Sequence, residues 1–243
     1  MPILNVNRIG VAVWCIATKN KGEKTAMSLE RKRQFIEIAY DILKKEGPEG
    51  VKIRRVASEM KCTSTVIYRY FDNLEHLIAL ASVRFFKNYI FEFKSMVNDP
   101  QILTDPYGLN LRMWDCLAGY AFQNIPIYEN LFFGKYQHSL GEIIFEYYQL
   151  LPDDFKQEFD GYSVSILFNS DLFQRDFVLL RKAAALGTIS TQDAESLSQI
   201  ESYVFRGVLL KYKEEYKNPG IPEKAAAEFH DLLYDLARKY RKS

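Results

Sequence analysis

Cysteine is too scarce and too scattered in this sequence for a covalent or metal-held scaffold. Cys15, Cys62 and Cys116 are the only three in 243 residues and form no C-x-x-C pair. That argues against a disulfide framework and a zinc site, so no metal is expected, and it points to a reducing, cytoplasmic setting. Glycine (12) and proline (8) are also sparse, while 48% of the residues are hydrophobic, which excludes collagen-like, low-complexity and disordered classes. Long apolar runs are missing too. The longest early one, residues 9–17, is broken by Gly10, is too short to cross a bilayer and has no clean cleavage site after it, so no membrane partner is expected. Net charge is nearly absent, 32 Lys+Arg against 31 Asp+Glu. By itself that speaks against nucleic acid, because nucleic-acid-binding domains are usually basic.

What is present is helical spacing almost throughout. The length suits one large domain, or a small domain fused to a larger one. Residues 1–27 read as an unstructured extension, charged and polar over 18–24, and Met27 before Ser28 offers an alternative translation start. From Ser28, a fair N-cap, Phe35, Ile36, Ala39, Ile42 and Leu43 share one helix face, and Gly47-Pro48 stops that helix. Short helices are predicted over 53–60 and 64–70, then a long one over 74–97 ending at Asn98-Asp99-Pro100. Further helices are predicted over 107–124, 128–150, 161–186, 191–217 and 223–241, with Ser190 and Asp193 as a capping-box-like start and Pro222 at a first turn. No run of alternating β-branched residues competes with this. The expected fold is all-α.

No catalytic constellation stands out. His76, His138 and His230 lie on separate predicted helices, Gly161-Tyr162-Ser163-Val164-Ser165 lacks the closing glycine of a nucleophile elbow, and no phosphate-binding glycine loop exists. Neither an enzyme nor a bound cofactor is expected. The two short helices are more informative. Joined by a three-residue turn and braced by the first helix, they have the pattern of a helix-turn-helix. The second begins Thr63-Ser64-Thr65, whose small side chains let backbone approach a duplex, and continues Tyr68-Arg69-Tyr70, which can reach phosphates or base edges. Lys52, Arg54 and Arg55 mark the start of the first, where the duplex backbone would pass. The near-zero charge is also an average over unlike parts. Residues 1–77 hold 14 Lys+Arg against 9 Asp+Glu, and residues 78–243 hold 18 against 22. Residues 28–77 alone hold 10 against 8, so long-range attraction to DNA is modest and binding must lean on placed contacts.

Residues 33–77 resemble the DNA-binding region of the TetR family of bacterial transcriptional regulators. The match runs through Ala39, Gly47, Val56-Ala57, Thr63, Ile67-Tyr68, Phe71, Glu75 and Leu77. It departs where Lys61 stands at the turn glycine, where Lys52 and Ile53 replace the capping threonine, and where Leu74 replaces a phosphate-contacting lysine. The resemblance implies a head over 28–77 and a helical ligand-binding and dimerisation domain over 78–243. It implies a homodimer on a palindromic double-stranded operator, most simply a repressor, released by a small effector. Lys52, Arg54, Arg55, Lys61, Thr63, Ser64, Thr65, Tyr68, Arg69 and Tyr70 are the expected DNA contacts. Two other readings stay open: a ligand-dependent activator, and a helix-turn-helix-shaped interaction protein with lost or weak DNA binding, for which Lys61 and Leu74 speak.

Two helix faces suit the dimer contact, Phe173, Phe177 and Leu180 on one helix and Ile200, Val204, Gly207 and Val208 on the next. The alternative is that both stripes face the intramolecular core. Residues 107–150 are rich in aromatics, which suits a hydrophobic or aromatic effector as well as plain packing. Trp114, Tyr120, Tyr136 and His138 are the candidate ligand contacts, because each joins an apolar body to a hydrogen-bonding tip.

Overall fold

The computed structural model describes residues 22–97, 104–155, 166–169 and 171–241, and among them every regular element is helical. Helix α1 spans Gly22–Glu46, α2 Ile53–Glu59, α3 Ser64–Ile67, α4 Leu74–Val83 and α5 Lys87–Val97. Then follow α6 (Pro106–Ala121), α7 (Ile125–Phe133), α8 (Leu140–Leu150), α9 (Leu172–Ala185), α10 (Thr191–Tyr212) and α11 (Ile221–Tyr240).

The first helix starts earlier than expected. Ser28 lies inside α1 rather than capping it, and residues 22–27, read above as extension, form its opening turns. No glycine or proline separates Glu23 from Glu46, so nothing in the chain interrupts the helix. The rest of that segment, residues 1–21, lies outside the described residues. At the other end Lys44 and Lys45 complement the helix dipole, and Gly47, at φ 76°, makes the stop.

The head is built on the buried side chains of α1. Phe35, Ile36 and Ala39 meet Val56 and Ala57 from α2, Ile67 from α3, and Phe71 and Leu77 beyond it, all essentially without exposure. Between α2 and α3 the chain turns in a Schellman arrangement. Cys62 N donates to Ala57 O at 2.9 Å and Lys61 N to Ser58 O at 3.0 Å. This puts Lys61 at φ 50°, the one non-glycine residue with positive φ among the described residues. A side chain there is held against its steric preference by about 1–2 kcal/mol. Lys61→Gly relieves that strain but frees the unfolded chain. The expected net gain is about 0.5 kcal/mol in urea denaturation.

The helix predicted over 74–97 is bent in the middle. A 3-10 turn at Arg84–Phe86 separates α4 from α5. Ser82 Oγ donates back to Ile78 O at 2.7 Å, a bond that bends helices, and Tyr128 Oη from α7 donates to Phe85 O at 2.8 Å. Arg84 pins the bend to α1, lying 4.5 Å over the Tyr40 ring and pairing with Glu37. The helix predicted over 128–150 is likewise two, α7 and α8. At Gly134 a side-chain carbon would stand 2.2 Å from Asn130 O, so only glycine fits the break. The proposed stop at residues 98–100 and helix start at residue 161 lie outside the described residues, and α9 begins at Leu172 with Asp171 as its cap, accepting from Gln174 N at 2.8 Å.

In the body α6 packs against α5, α9 and α11, while α10 lies between α9 and α11. Phe205 of α10 is its centre, with ring centroids 5.2 Å from Trp114, 5.4 Å from Phe229 and 5.8 Å from Phe122. Helix α4 is shared: α1 covers one side of it, and α7 and α8 cover another. The boundary drawn after Leu77 therefore falls within a helix.

Candidate nucleic-acid interface and the cavity behind it

Of the expected DNA contacts, Lys52, Arg54, Lys61, Thr63, Thr65, Tyr68 and Arg69 are exposed on the head. Tyr68 is 56% exposed, unusual for a tyrosine beside a buried Ile67. Helix α3 is shorter than predicted, and Tyr68, Arg69 and Tyr70 occupy the turn after Ile67 rather than helix. The remaining contacts are placed differently. The Tyr70 ring is half-buried with its centroid 5.5 Å from Phe35, so it braces the head core. Ser64 is half-buried. Arg55 makes a two-pronged pair with Glu46 of α1, at 2.6 and 2.7 Å. Their hydrogen bonds raise the guanidinium and lower the carboxyl, so this arginine is already engaged. Leu74, at the start of α4, is half-buried against the apolar core.

A polar junction ties the head to the body. Glu146 on α8 accepts from Lys32 of α1 at 2.5 Å and from His76 Nε2 of α4 at 3.0 Å. Asp72 N donates to His76 Nδ1 at 3.3 Å, a geometry that suits the tautomer with Nε2–H towards Glu146. Tyr136, expected above to touch a ligand, instead accepts from Asn73 Nδ2 at 3.0 Å and lies against His76. Burial alone would raise the Glu146 carboxyl, but hydrogen bonds from His76 and Lys32 outweigh it and hold it at about 2. A carboxyl depressed on folding stabilises above its unfolded range near 4.5, and that stabilisation is lost as pH falls towards 2. Glu146→Gln is expected to cost about 1–2 kcal/mol at neutral pH, after discounting for solvent screening of a half-exposed group. Melting curves of the variant should then depend less on pH between 4.5 and 2 than those of the parent.

Behind the bend lies a cavity of about 30 Å³ lined by residues including Phe86, Tyr89, Met113, Trp114, Arg175 and Asp176. That is room for about two waters. One wall carries a buried polar cluster. Trp114 Nε1 donates to Asp176 Oδ1 at 2.8 Å and Glu201 Oε2 at 3.1 Å, and Asn110 Nδ2 donates to Glu201 Oε2 at 2.8 Å. Burial raises both carboxyls, and the charge of Asp176 raises Glu201 further. Asp176 Oδ2 and Glu201 Oε1 are buried without a hydrogen-bond partner. Arg175 is different. It is 6% exposed, donates Nη2 to Leu167 O, leaves Nε unpartnered, and makes no ion pair among the described residues. Burial lowers it to about 10.

Trp114 is thus the one expected ligand contact that borders this cavity. Tyr120 is half-buried and donates to Glu92, away from this cavity. His138 is exposed, 3.3 Å from Asp171, on an open groove with Phe133, Phe173, Tyr203 and Arg206. Arg175, Asp176, Asn110 and Glu201 are absent from the residues expected above, although the pattern held a signal. Leu172, Arg175, Asp176, Leu179, Leu180 and Ala183 form the buried stripe of α9, and charges on an apolar stripe mark an unusual site.

The expected dimer stripes divide. Leu180 and Val208 are 0% and 4% exposed within one chain, so they cannot meet a second copy. The volume between α9, α6 and α10 takes them in. Phe173 and Phe177 are half-buried with stacked rings 5.9 Å apart, and Ile200 and Val204 are half-buried on α10. Gly207 is exposed beside Tyr203 and Leu210, which are 69% and 49% exposed.

No family model matches the sequence, and no curated protein does. Solved structures do match. A protein of unknown function from Rhodococcus sp. RHA1 superposes with a TM-score of 0.53 and 14% identity, over 87% of this chain and 95% of that one. The chain shares that fold. Other matches are the TetR family transcriptional regulator PfmR from Thermus thermophilus, and a protein solved for the control of antibiotic production by a bacterial hormone. PfmR has a TM-score of 0.47 and 14% identity, over 82% of this chain and 96% of that one. The other has a TM-score of 0.49 and 18% identity, over 88% and 98%. At 14% identity the likeness to the Rhodococcus protein is one of fold alone. No described helix is long and apolar enough to cross a membrane.

Proposed function

We propose that this chain is a ligand-responsive transcriptional regulator of the TetR type that binds a palindromic operator as a dimer and acts as a repressor. The observation that carries this reading is the exposed Tyr68-Arg69 pair, held just after a short helix by a buried Ile67 and Phe71. A side-chain pair with aromatic and guanidinium character, presented at the end of a helix-turn-helix, suits phosphate and guanine contacts. One such head reads few base pairs, so two heads about 34–36 Å apart supply specificity. The surface that suits the second copy is Ile200, Tyr203, Val204, Gly207 and Leu210 of α10, with Phe173 and Phe177 beside it.

Control runs through the bend. Helix α4 begins in the head, and Phe86, in the 3-10 turn that follows it, borders the cavity. An occupant that moves Phe86 changes the angle between α4 and α5 and so the spacing of the heads, with a coupling of about 1–3 kcal/mol. The test is selection of bound sequences from random duplexes by the purified protein. A palindrome should emerge, and its affinity should fall steeply with salt, with a log–log slope of about −0.9 per phosphate contact. The engaged Arg55 and half-buried Leu74 favour a second reading, an interaction protein of the same shape. Recovery of no sequence would decide for it.

A further inference from the structure

Among the described residues, Arg175 is a buried cation that makes no ion pair, and Asp171, one helical turn earlier, acts on it only at a distance. Its guanidinium carbon lies 5.7 Å from the Phe86 ring centroid, its Nε has no acceptor, and one backbone carbonyl is its hydrogen-bond partner. A buried charge left so poorly compensated opposes folding unless something pairs with it. The cavity beside it is walled by Phe86, Tyr89, Met113 and Trp114, an aromatic slot with one adaptable side chain. Asp176 stands on the same wall.

We infer that this cavity binds a small monocarboxylic acid with a flat apolar body, its carboxylate on Arg175 and its body between Phe86, Tyr89 and Trp114. The inference rests on the regulator reading for its consequence, since it names the effector class of that sensor. One guanidinium calls for one anionic group, and its planar donors match a carboxylate. A phosphate fits less well, because a second negative charge would face Asp176. The space of about 30 Å³ is smaller than any such acid, so binding widens it. Phe86 is the wall that belongs to the bend between head and body. Pairing the guanidinium with a carboxylate also alters its contact with the Phe86 face, which links occupancy to the bend.

The test uses the full chain carrying Trp14→Phe, which leaves Trp114 as the single tryptophan. Benzoate, phenylacetate and 3-phenylpropionate, with their amides, are titrated while tryptophan emission and melting temperature are followed. At least one acid should shift both saturably, with its amide bound at least about 10-fold more weakly. Arg175→Met should melt above the parent when empty, because it removes an unpaired buried charge, and should bind the acid about 10- to 100-fold more weakly. Arg175→Lys, which keeps a cation, should lose less. Silence with all three acids, equal binding of acid and amide, or an Arg175→Met protein that melts below the parent and binds acids unchanged would each overturn the inference. No DNA is present in these titrations. Acid binding without any selected duplex would sink the regulator and leave the cavity assignment standing, and a selected duplex without acid binding would do the reverse.

Discussion

Replacing Tyr68 and Arg69 together with alanine is expected to reduce binding of the selected duplex to the level of an unrelated one. Both side chains are exposed, and Tyr68 is more than half so. Neither fills the head core, which is closed by Phe35, Val56, Ile67 and Phe71. The folded state should therefore change by no more than about 0.5 kcal/mol, the range of ordinary surface substitutions. Binding is another matter. A well-formed base contact is worth about 1–3 kcal/mol, and the proposed dimer would lose each contact twice. Specific and non-specific affinities typically differ by about 10³–10⁷-fold, so the loss spans much or all of that gap. Fluorescence anisotropy at fixed salt measures it, with sedimentation to show that self-association is unchanged. Unchanged affinity would remove the turn after α3 from the interface and return attention to Lys52 and Arg54. The residual, non-specific binding should keep most of its salt dependence, since those lysines and arginines remain.

The largest effect on stability is expected at Phe205. Its side chain is fully buried, and its ring meets Trp114, Phe122, Phe132, Phe133 and Phe229, drawn from α6, the turn after it, α7 and α11. Phe205→Ala takes away both the transfer free energy of the ring and the support of five neighbours, and rings fixed on four elements cannot all close the gap. The expected cost is about 3–5 kcal/mol in denaturant unfolding. Since a domain typically has about 5–15 kcal/mol in all, the variant should be poorly populated near body temperature. Val204→Ala, one position away and half-buried, should lose little stability as a single chain. It should weaken self-association if the α10 face is the dimer contact. The two neighbours thus separate packing within the chain from packing between copies.

What can be read in the chain follows the range of the interactions involved. The helix-turn-helix is legible because its determinants are local: a Gly47-Pro48 stop, an apolar spacing within each short helix, and a turn whose hydrogen bonds join residues five apart or fewer. Lys61 stands where the resembled family has its turn glycine, so either it accepts the left-handed conformation or the turn differs, and the chain takes the first course at φ 50°. The bend at Arg84–Phe86 is not legible, because no proline or glycine marks it. It depends on a hydroxyl from Tyr128, 43 positions away. The start of α1 is hidden because Ser28 looks like a cap, and the absence of any breaker after Gly22 outweighs that signal.

Periodicity and neighbouring residues suffice to specify an all-α chain, a small three-helix head presenting Tyr68 and Arg69, and apolar stripes enough to bury a large body. They do not say that Leu180 and Val208 face inward, that Arg55 is held by Glu46, or that Trp114 alone of the four suggested contacts borders the cavity. Those are matters of packing between helices. The same packing brings Arg175, Asp176 and Glu201, from two helices, beside an aromatic slot at the end of the helix that leaves the head. A stripe of apolar residues shows that a face is covered, not by what. The identity of the cover is set by how distant helices pack, and there a buried charge acquires or lacks its partner.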